Sequence, residues 1–370
     1  MEESMVMEGE DVAVPSVSDA QEMPPSVESA QVAVPRPRLY RTRQLLDGVP
    51  EAEVIKLYRL SSHAIYALYD ILEPDLEPRV ATNHAVPGLA KLLASLHFFA
   101  SGRFQPTVSL IAGFSQATFS RSLFQVLTAL RKHTTDFIKF PQSDSEWREI
   151  KSDFFSIAGM PNVLGALDCM HVALTTPRQN AECFRNRRDF HSLNVQMVSD
   201  ANQRILNVVV GFPGSTHDSY ILRQSALFRQ IEEGSVPYGW LLGDTGYRSR
   251  TWLLTPLSEP VTAAEQSYQS AHAATRGVVE TTFAALKSRF RCLDRSGGAL
   301  LYSPSKVCDI TIACCILHNI CVANNLTVEI HPSVYQEEDL SPVVVDTRDL
   351  GGQVRRRVIE DYFSSSLPPS

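Results

Sequence analysis

Four acidic residues occupy positions in the sequence where carboxylates could carry out chemistry. Asp168 interrupts the apolar run GALDCMHVAL, Asp218 follows an apolar run in GFPGSTHDSYIL, and Asp244 closes YGWLLGD. Glu280 lies in TRGVVETTFAALKSRF, whose apolar residues recur at helical spacing. A two-metal phosphodiester site requires carboxylates from separate strands and helices, and oxygen ligands favour Mg²⁺ or Mn²⁺ over zinc. The four acids therefore indicate a metal centre for phosphodiester chemistry.

Three of these carboxylates also have a structural interpretation. A lone acid in an apolar strand is costly to bury, so Asp168 could be paired with a buried arginine instead of a metal. Asp218 could cap the helix that is predicted to follow it. Glu280 could be a solvated helix residue that pairs with Lys287 or Arg276. The residues alone leave both interpretations open for each acid.

Asp244 raises the same question at the end of a predicted strand. The segment WLLGDTGY places it between Gly243 and Gly246, and Asp and Gly are favoured turn residues. The carboxyl ends of strands are also where open α/β sheets bind their ligands. Asp244 is therefore predicted either to form a turn or to face a ligand, and the two glycines would keep the backbone compact beside it.

A basic loop follows the first predicted strand. The segment FRNRRDFHSLN contains Arg185, Arg187, Arg188 and His191. Arginine forms bidentate hydrogen bonds with phosphate oxygens, which makes this loop a candidate clamp for a nucleic-acid backbone. A solvated surface loop is the alternative. Further basic side chains are expected near the same face if the sheet is predicted correctly: Arg248, Arg250, Lys287, Arg289 and Arg291.

Residues 39–148 are predicted to form a helical domain, because apolar residues recur there at spacings of three and four residues. Within 104–130, a helix ending at Ala112, a turn at Gly113 and a second helix capped by Ser115 would resemble a helix-turn-helix. Phe119 and Leu123 would point inward. The exposed side of the second helix would carry Gln116, Thr118, Ser120 and Arg121. An ordinary pair of helices fits the spacing equally well.

Residues 149–330 are predicted to form a mixed α/β domain, because runs rich in Val and Leu are followed by helical segments. The predicted strands are 162–174, 194–200, 204–214 and 238–244. The predicted helices are 219–232, 272–292 and 304–322. A disordered acidic tail is predicted for residues 1–38 and a loosely ordered C-terminal tail for 331–370.

Charge and cysteine content restrict the class of protein. The net charge of −7 conceals an uneven distribution: the first 35 residues contain eight acids and no Lys or Arg, which leaves about +1 for the remainder. A nucleic-acid partner is therefore compatible with the composition. Seven cysteines without a signal peptide indicate reduced thiols in the nucleus or cytoplasm. No apolar run approaches the ~20 residues of a membrane helix, so no membrane association is expected.

The ordered blocks of the second half resemble one family. The blocks are LDCMHVAL, NVVVGFPGSTHDSYIL, GDTGYRSRTWLLTPL, VVETTFAALKSRFRCLD and YSPSKVCDITIACCILHNI. Together they span roughly residues 160–322, and HFFASGRFQPTVSLIAGFSQATFSRSL extends the similarity upstream. They resemble the Harbinger transposase-derived nucleases, domesticated relatives of the PIF/Harbinger DDE transposases. The chain departs from the family pattern at the methionine of DCMH and at an alanine of TFAALK, where transposases usually carry glycine, and neither change removes a carboxylate.

This resemblance implies an RNase H-like core and a metal-dependent DNA endonuclease, a hydrolase acting on ester bonds. Matched by motif, the catalytic residues would be Asp168, Asp244 and Glu280, with Asp218 as a further metal ligand. Two divalent cations per site, Mg²⁺ or Mn²⁺, are expected. The competing interpretation is a catalytically silent protein that binds DNA or chromatin and retains the fold.

The resemblance also implies partners and a location. DNA is the expected substrate, and the residues predicted to contact it are Arg185, Arg187, Arg188, Arg121 and Lys287. In this family a separate Myb-like protein often reads the DNA sequence and assists nuclear entry. We therefore expect such a partner and a location in the nucleus and cytoplasm. Whether the chain forms a homo-oligomer is left open.

Overall fold

The computed structural model describes residues 46–78, 85–113, 115–330 and 350–364. The acidic tail predicted for residues 1–38 lies outside the described residues, and so does part of the predicted C-terminal tail, 331–349.

Helices make up the first third of the described chain. They are α1 (Glu51–Tyr58), α2 (Ser62–Leu76), α3 (Gly88–Ser101), α4 (Gln105–Ile111), α5 (Gln116–Lys132), α6 (Thr134–Phe137) and α7 (Asp144–Ala158). Local capping sets several of their boundaries. Ser61 begins α2 by accepting from the backbone N–H of Ala64, and Gly102 ends α3 in the left-handed conformation that glycine adopts without strain. The predicted helical character of this region is confirmed.

The turn predicted between α4 and α5 is also confirmed. Ala112 caps α4, Gly113 has a φ of +72°, and the Ser115 side chain accepts from the backbone N–H of Thr118. Phe119 is fully buried, as the spacing requires. The geometry of a helical pair joined by a tight turn is therefore present, while the use of α5 to bind DNA stays a prediction.

Five strands form one mixed sheet in the order β3-β2-β1-β4-β5. They are β1 (Val163–Ala173), β2 (Ser192–Ser199), β3 (Ile205–Pro213), β4 (Trp240–Leu242) and β5 (Leu253–Leu254). The first three strands pair antiparallel, whereas β4 joins β1 in parallel and β5 joins β4 in parallel. The predicted RNase H-like α/β class is confirmed by this mixed sheet with flanking helices.

The remaining helices surround the sheet. They are α8 (Ala181–Phe184), α9 (Asp218–Gln224), α10 (Ala226–Glu232), α11 (Ala263–Arg289), α12 (Pro304–Ala323) and α13 (Leu350–Phe363), with 3₁₀ turns at Arg291–Leu293 and Arg295–Gly297. A capping box of Thr262 and Glu265 starts α11. This long helix contacts β1, β2 and β4 and thereby crosses the strands that carry the acidic residues.

Several elements differ from the sequence prediction. Helix α7 spans the predicted domain boundary at residue 148, because Trp147, Ile150 and Phe154 form an apolar stripe that packs toward β1. Helix α11 begins nine residues before the predicted start at 272. Helix α13 occupies part of the segment predicted as a loose tail, and Arg355 anchors it through hydrogen bonds to backbone oxygens of Thr255 and Pro256.

Helix α12 is long and apolar enough to cross a membrane, contrary to the expectation that no run approaches that length. In the fold, 67% of the apolar 18-residue stretch of this helix is buried inside the protein. It packs against β3 and α5, with Ile310, Cys314 and Leu317 fully buried. Length and composition alone are weak grounds for a membrane span, since the core helix of a soluble protein has the same character.

One hydrophobic core includes residues from both predicted domains. Phe99 and Phe119 of the helical region share it with Met170 and Val195 of the sheet and with Leu286 of α11. The helical region and the sheet therefore support each other within one compact unit.

Candidate metal centre

Asp168 lies in the middle of β1, the central strand of the sheet. Its neighbour across the antiparallel pair is Met197 of β2, and Leu167 beside it is fully buried. The backbone N–H of Cys169 donates to Asp168 Oδ1 at 2.7 Å, which holds the carboxylate against its own strand. A strand paired on both edges thus fixes this acid at the core of the fold.

Asp244 follows the parallel neighbour of β1. The N–H of Gly243 donates to the carbonyl of Leu254 at 3.0 Å, and two residues after β4 the chain reaches Asp244. The backbone N–H of Gly246 donates to Asp244 Oδ1 at 3.1 Å. The turn is therefore confirmed, and it leaves the Asp244 carboxylate close to the other acids, so a role in binding a ligand is compatible with it and stays a prediction.

Close packing beside Asp244 favours a glycine at position 243. A Cβ added at this glycine would lie 3.0 Å from the Tyr247 ring and 3.2 Å from Leu253. The absence of a side chain lets β4 and the following turn close up, as the sequence suggested for this position.

Asp218 is the first residue of α9, and its N-cap is His217. The helix predicted to start near Ser219 thus begins at the aspartate itself. The side-chain amide of Asn194, on β2, donates to Asp218 Oδ1 at 2.7 Å. Asp218 is 8% exposed, so this amide orients a buried carboxylate toward the sheet.

The fold brings Asp168, Asp218 and Asp244 together, so that one carboxylate oxygen of each lies within 4.8 Å of the other two. Burial raises the pKa of Asp168 well above its usual range, and the neighbouring charge of Asp244 raises it further. Three converging acids in a desolvated site repel one another unless a cation joins them. An all-oxygen donor set suits Mg²⁺ or Mn²⁺, so the residues fit a divalent cation.

Glu280 lies outside this group of three. It is on α11 with a side chain that is 57% exposed, and it forms an ion pair with Arg276, one helical turn earlier. The same guanidinium contacts Asp168, where Nη1 and Oδ2 are 2.7 Å apart. Arg276 therefore bridges the strand carboxylate and the helix carboxylate.

Arg276 forms both of the ion pairs that the sequence analysis offered as structural interpretations of Asp168 and Glu280. It is the arginine that pairs with Asp168, and it is also the helical partner of Glu280. Burial alone would lower the pKa of Arg276, but Asp168, Glu280 and Asp244 together raise it. This arginine is the one cation that contacts both carboxylates among the ion pairs of the described residues.

Polar side chains missed by the sequence argument form a layer behind the acids. The Cys169 sulfur is 3.2 Å from the Tyr247 hydroxyl, which donates to Gln196 Oε1 at 3.4 Å. Burial raises the pKa of Cys169 and of Tyr247. Both groups therefore stay neutral and add no charge to the acidic cluster. The signal that could have indicated them is their position, since Cys169 directly follows Asp168 and Tyr247 lies three residues after Asp244.

The basic loop lies beside the acidic cluster. Arg187 Nη2 is 3.0 Å from His217 Nδ1, and His217 immediately precedes Asp218. Arg185 pairs with Asp189, and the backbone N–H of Arg188 donates to Asn186 Oδ1 at 3.0 Å. The loop is thus held in place next to α9, while its contact with DNA stays a prediction.

Among the other basic residues, Lys287 and Arg289 are placed differently from the prediction, whereas Arg121 is exposed as predicted. Lys287 is 2% exposed and beside Asp294, and this burial is at odds with a direct contact to DNA. Burial lowers the pKa of Lys287 to about 8. Arg289 is also buried, at the far end of α11. Arg121 is exposed on α5, a helix that packs chiefly on other helices.

A family model described as DDE superfamily endonuclease matches residues 167–319. This range begins one residue before Asp168 and includes Asp218, Asp244 and Glu280. No solved structure is detectably similar to the chain.

Curated relatives cover most of the chain. "Putative nuclease HARBI1" of Bos taurus is 41% identical over 323 residues, which are 86% of this chain and 93% of that protein. The Homo sapiens protein of the same name is 41% identical over 283 residues, 76% of this chain and 81% of its own. The Arabidopsis thaliana protein named "Antagonist of like heterochromatin protein 1" is 29% identical over 245 residues, covering 62% of this chain and 61% of its own.

Proposed function

The chain belongs to the HARBI1 family of DDE superfamily endonucleases, and from this premise we propose that Asp168, Asp218 and Asp244 hold the divalent cations with which it hydrolyses DNA. It is a nuclease of transposase origin, a hydrolase that acts on ester bonds. The observation that carries the proposal is the convergence of three carboxylates, from two strand regions and a helix start, within 4.8 Å.

Each side chain has a distinct part in this proposal. Asp168 is held by the Cys169 N–H, and Asp218 by Asn194, so both present fixed oxygens. These oxygens would hold divalent cations, which when bound would supply polarisation of the scissile phosphate and a lower pKa of the attacking water. We propose that Glu280 completes the ligand set once the Arg276 guanidinium leaves it.

Arg187 and its neighbours would orient the substrate strand. The contact between Arg187 and His217 supports this role, because it brings a guanidinium to the residue that precedes Asp218. Fork-shaped donors bind phosphate oxygens bidentately and fix the backbone without reading the bases.

The test is nicking of supercoiled plasmid by purified protein in Mg²⁺ or Mn²⁺. We expect nicking by the wild type and loss of nicking in Asp168→Asn, Asp244→Asn and Glu280→Gln, because each change removes a ligand charge. Glu149→Gln, an exposed acid on α7, is the matched control and should cut like the wild type. Cleavage that survives Asp168→Asn and Asp244→Asn would refute the proposed site.

We also propose a Myb-like DNA-reading partner and a location in nucleus and cytoplasm. All seven cysteines are free thiols, which supports a reducing compartment. Imaging with and without the co-expressed partner is the test, and an unchanged distribution would contradict the dependence on it. If the wild type fails to nick plasmid alone or with that partner but still binds Mn²⁺ and DNA, the silent DNA-binding alternative takes its place.

A further inference from the structure

Three arginines converge on a cavity away from the acidic cluster. The cavity has a volume of about 300 Å³ and lies among the ends of α1 and α11 and the chain after α12. Its basic lining residues are Arg59, Arg289 and Arg291. Burial lowers the pKa of Arg59, and the charges of Arg291 and Arg289 lower it further, as expected for guanidinium groups held close together.

The guanidinium of Arg289 is buried without sufficient partners. The residue is 5% exposed, and its Nη2 donates to the Leu326 carbonyl at 2.7 Å. Its Nε and Nη1 are buried with no hydrogen-bond partner among the described residues, and so is Nε of Arg59. Leaving charged donors buried and unsatisfied is costly, so these nitrogens indicate an acceptor that the described part of the chain does not provide.

The acidic residues of the cavity do not supply that acceptor. Asp294 lines the cavity but uses its oxygens to accept from the N–H and hydroxyl of Ser296. Glu329 also lines it and is exposed. Within the described ranges, no ion pair joins either carboxylate to Arg59, Arg289 or Arg291.

The cavity is separate from the metal centre. Arg289 and Glu280 are nine residues apart on α11, which is two and a half helical turns, so they point to opposite sides about 13.5 Å apart along the axis. Arg289 and the cavity therefore lie on a different side of α11 from Glu280. The volume is at the lower end of the range for sites that bind small molecules.

We infer that Arg59, Arg289 and Arg291 form a binding site for a small molecule that carries one or more phosphate groups. A phosphate offers several anionic acceptors to three forked donors at once, which neither a chloride ion nor a single carbonyl can do. The bound group would join α1, the end of α11 and the segment after α12. This inference does not depend on the proposed nuclease activity.

The test uses pyrophosphate and inorganic phosphate as probes of the full chain. Binding is measured by calorimetry in EDTA, with sodium chloride adjusted to constant ionic strength. We expect the wild type to bind pyrophosphate, and Arg289→Gln to weaken binding about 10- to 100-fold, since a charged hydrogen-bond donor is lost. Arg148→Gln, an exposed arginine on α7, is the matched control and should bind like the wild type.

Thermal unfolding separates a binding role from a purely structural one. Without phosphate, Arg289→Gln should melt no lower than the wild type, because the change removes an unsatisfied buried charge. Pyrophosphate should then raise the melting temperature of the wild type and not of the variant. If Arg289→Gln fails to fold, the less buried Arg59→Gln provides the same comparison.

Two results would overturn the inference. The first is absence of pyrophosphate and phosphate binding by the wild type, or equal binding by Arg289→Gln and Arg59→Gln. The second is displacement of pyrophosphate by a short DNA duplex at the same ionic strength in the wild type and control. That displacement would assign the cavity to the DNA backbone instead of a small molecule.

Discussion

Replacing Arg276 by glutamine tests whether this guanidinium acts as the counter-ion of the acidic cluster. Its Nη1 lies 2.7 Å from Asp168, and its Nη2 pairs with Glu280. Without it, Asp168 would lose its ion pair and still face Asp218 and Asp244. We expect Arg276→Gln to be unstable in EDTA and to regain stability when a divalent cation binds.

The magnitude follows from burial. The Arg276 and Asp168 side chains are 19% and 16% exposed, and removing one partner of a buried pair costs about 3–5 kcal/mol. Residual exposure and proton uptake by Asp168 favour the lower end, about 3 kcal/mol. Glu280 is 57% exposed and adds less than about 1 kcal/mol. At about 2–4 °C per kcal/mol, the melting temperature should fall by about 6–12 °C.

The assay is thermal unfolding of wild type and variant in EDTA and in a Mn²⁺ titration. By linkage, a destabilisation of about 3 kcal/mol that Mn²⁺ reverses corresponds to Mn²⁺ affinity about 100-fold higher in the variant. Arg131→Gln, which breaks the more exposed pair with Asp309, should change stability by less than about 1 kcal/mol in both conditions. Equal losses for Arg276→Gln with and without Mn²⁺ would refute the counter-ion role.

Three further predictions concern stability and DNA binding. Burial lowers the pKa of His272 and His318 to about 4, below the unfolded value near 6.5, so their stability contribution is complete above about pH 6.5 and is lost as the pH falls. Urea unfolding should show a loss of about 2 kcal/mol per histidine at pH 5, and His318→Gln should abolish its share. Arg187→Gln should reduce the slope of log affinity against log salt concentration by about 1 in DNA anisotropy titrations. An unchanged slope would show that Arg187 does not contact the phosphate backbone of DNA. Gly243→Ala should cost about 1–3 kcal/mol through contact with Tyr247, and unaltered stability with intact Mn²⁺ binding would contradict the packing argument.

The strands were the most predictable part of the fold. The segment predicted as 162–174 is β1 at Val163–Ala173, because a strand covered on both faces leaves a long apolar run. The missed elements have weaker signals. β5 has only two residues, and α13 buries little more than Val358 and Ile359. Helix α7 is different, since the capping box of Ser143 and Glu146 is visible in the sequence, yet the helix lies across the boundary predicted at residue 148.

The acidic site was predictable in composition but not in geometry. An acid inside an apolar strand, a helix start and a strand end indicated Asp168, Asp218 and Asp244, yet their mutual distances depend on β4 entering the sheet beside β1. That pairing joins segments more than seventy residues apart, and no local pattern specifies it. The link from Arg276 to Asp168 has the same origin, since α11 must first lie across the sheet.

The four carboxylates differ in how firmly the fold holds them, and this difference bears on how the site would load metal. Asp168, Asp218 and Asp244 each accept from a neighbouring amide donor, so their oxygens are fixed before any ligand arrives. Glu280 instead depends on Arg276, a long side chain on the same helix. Because both lie on α11, the guanidinium could separate from Glu280 by side-chain rotation alone, with the sheet unchanged. Preorganised acids with one exchangeable counter-charge keep the repulsion among the aspartates tolerable and still leave the site able to bind metal.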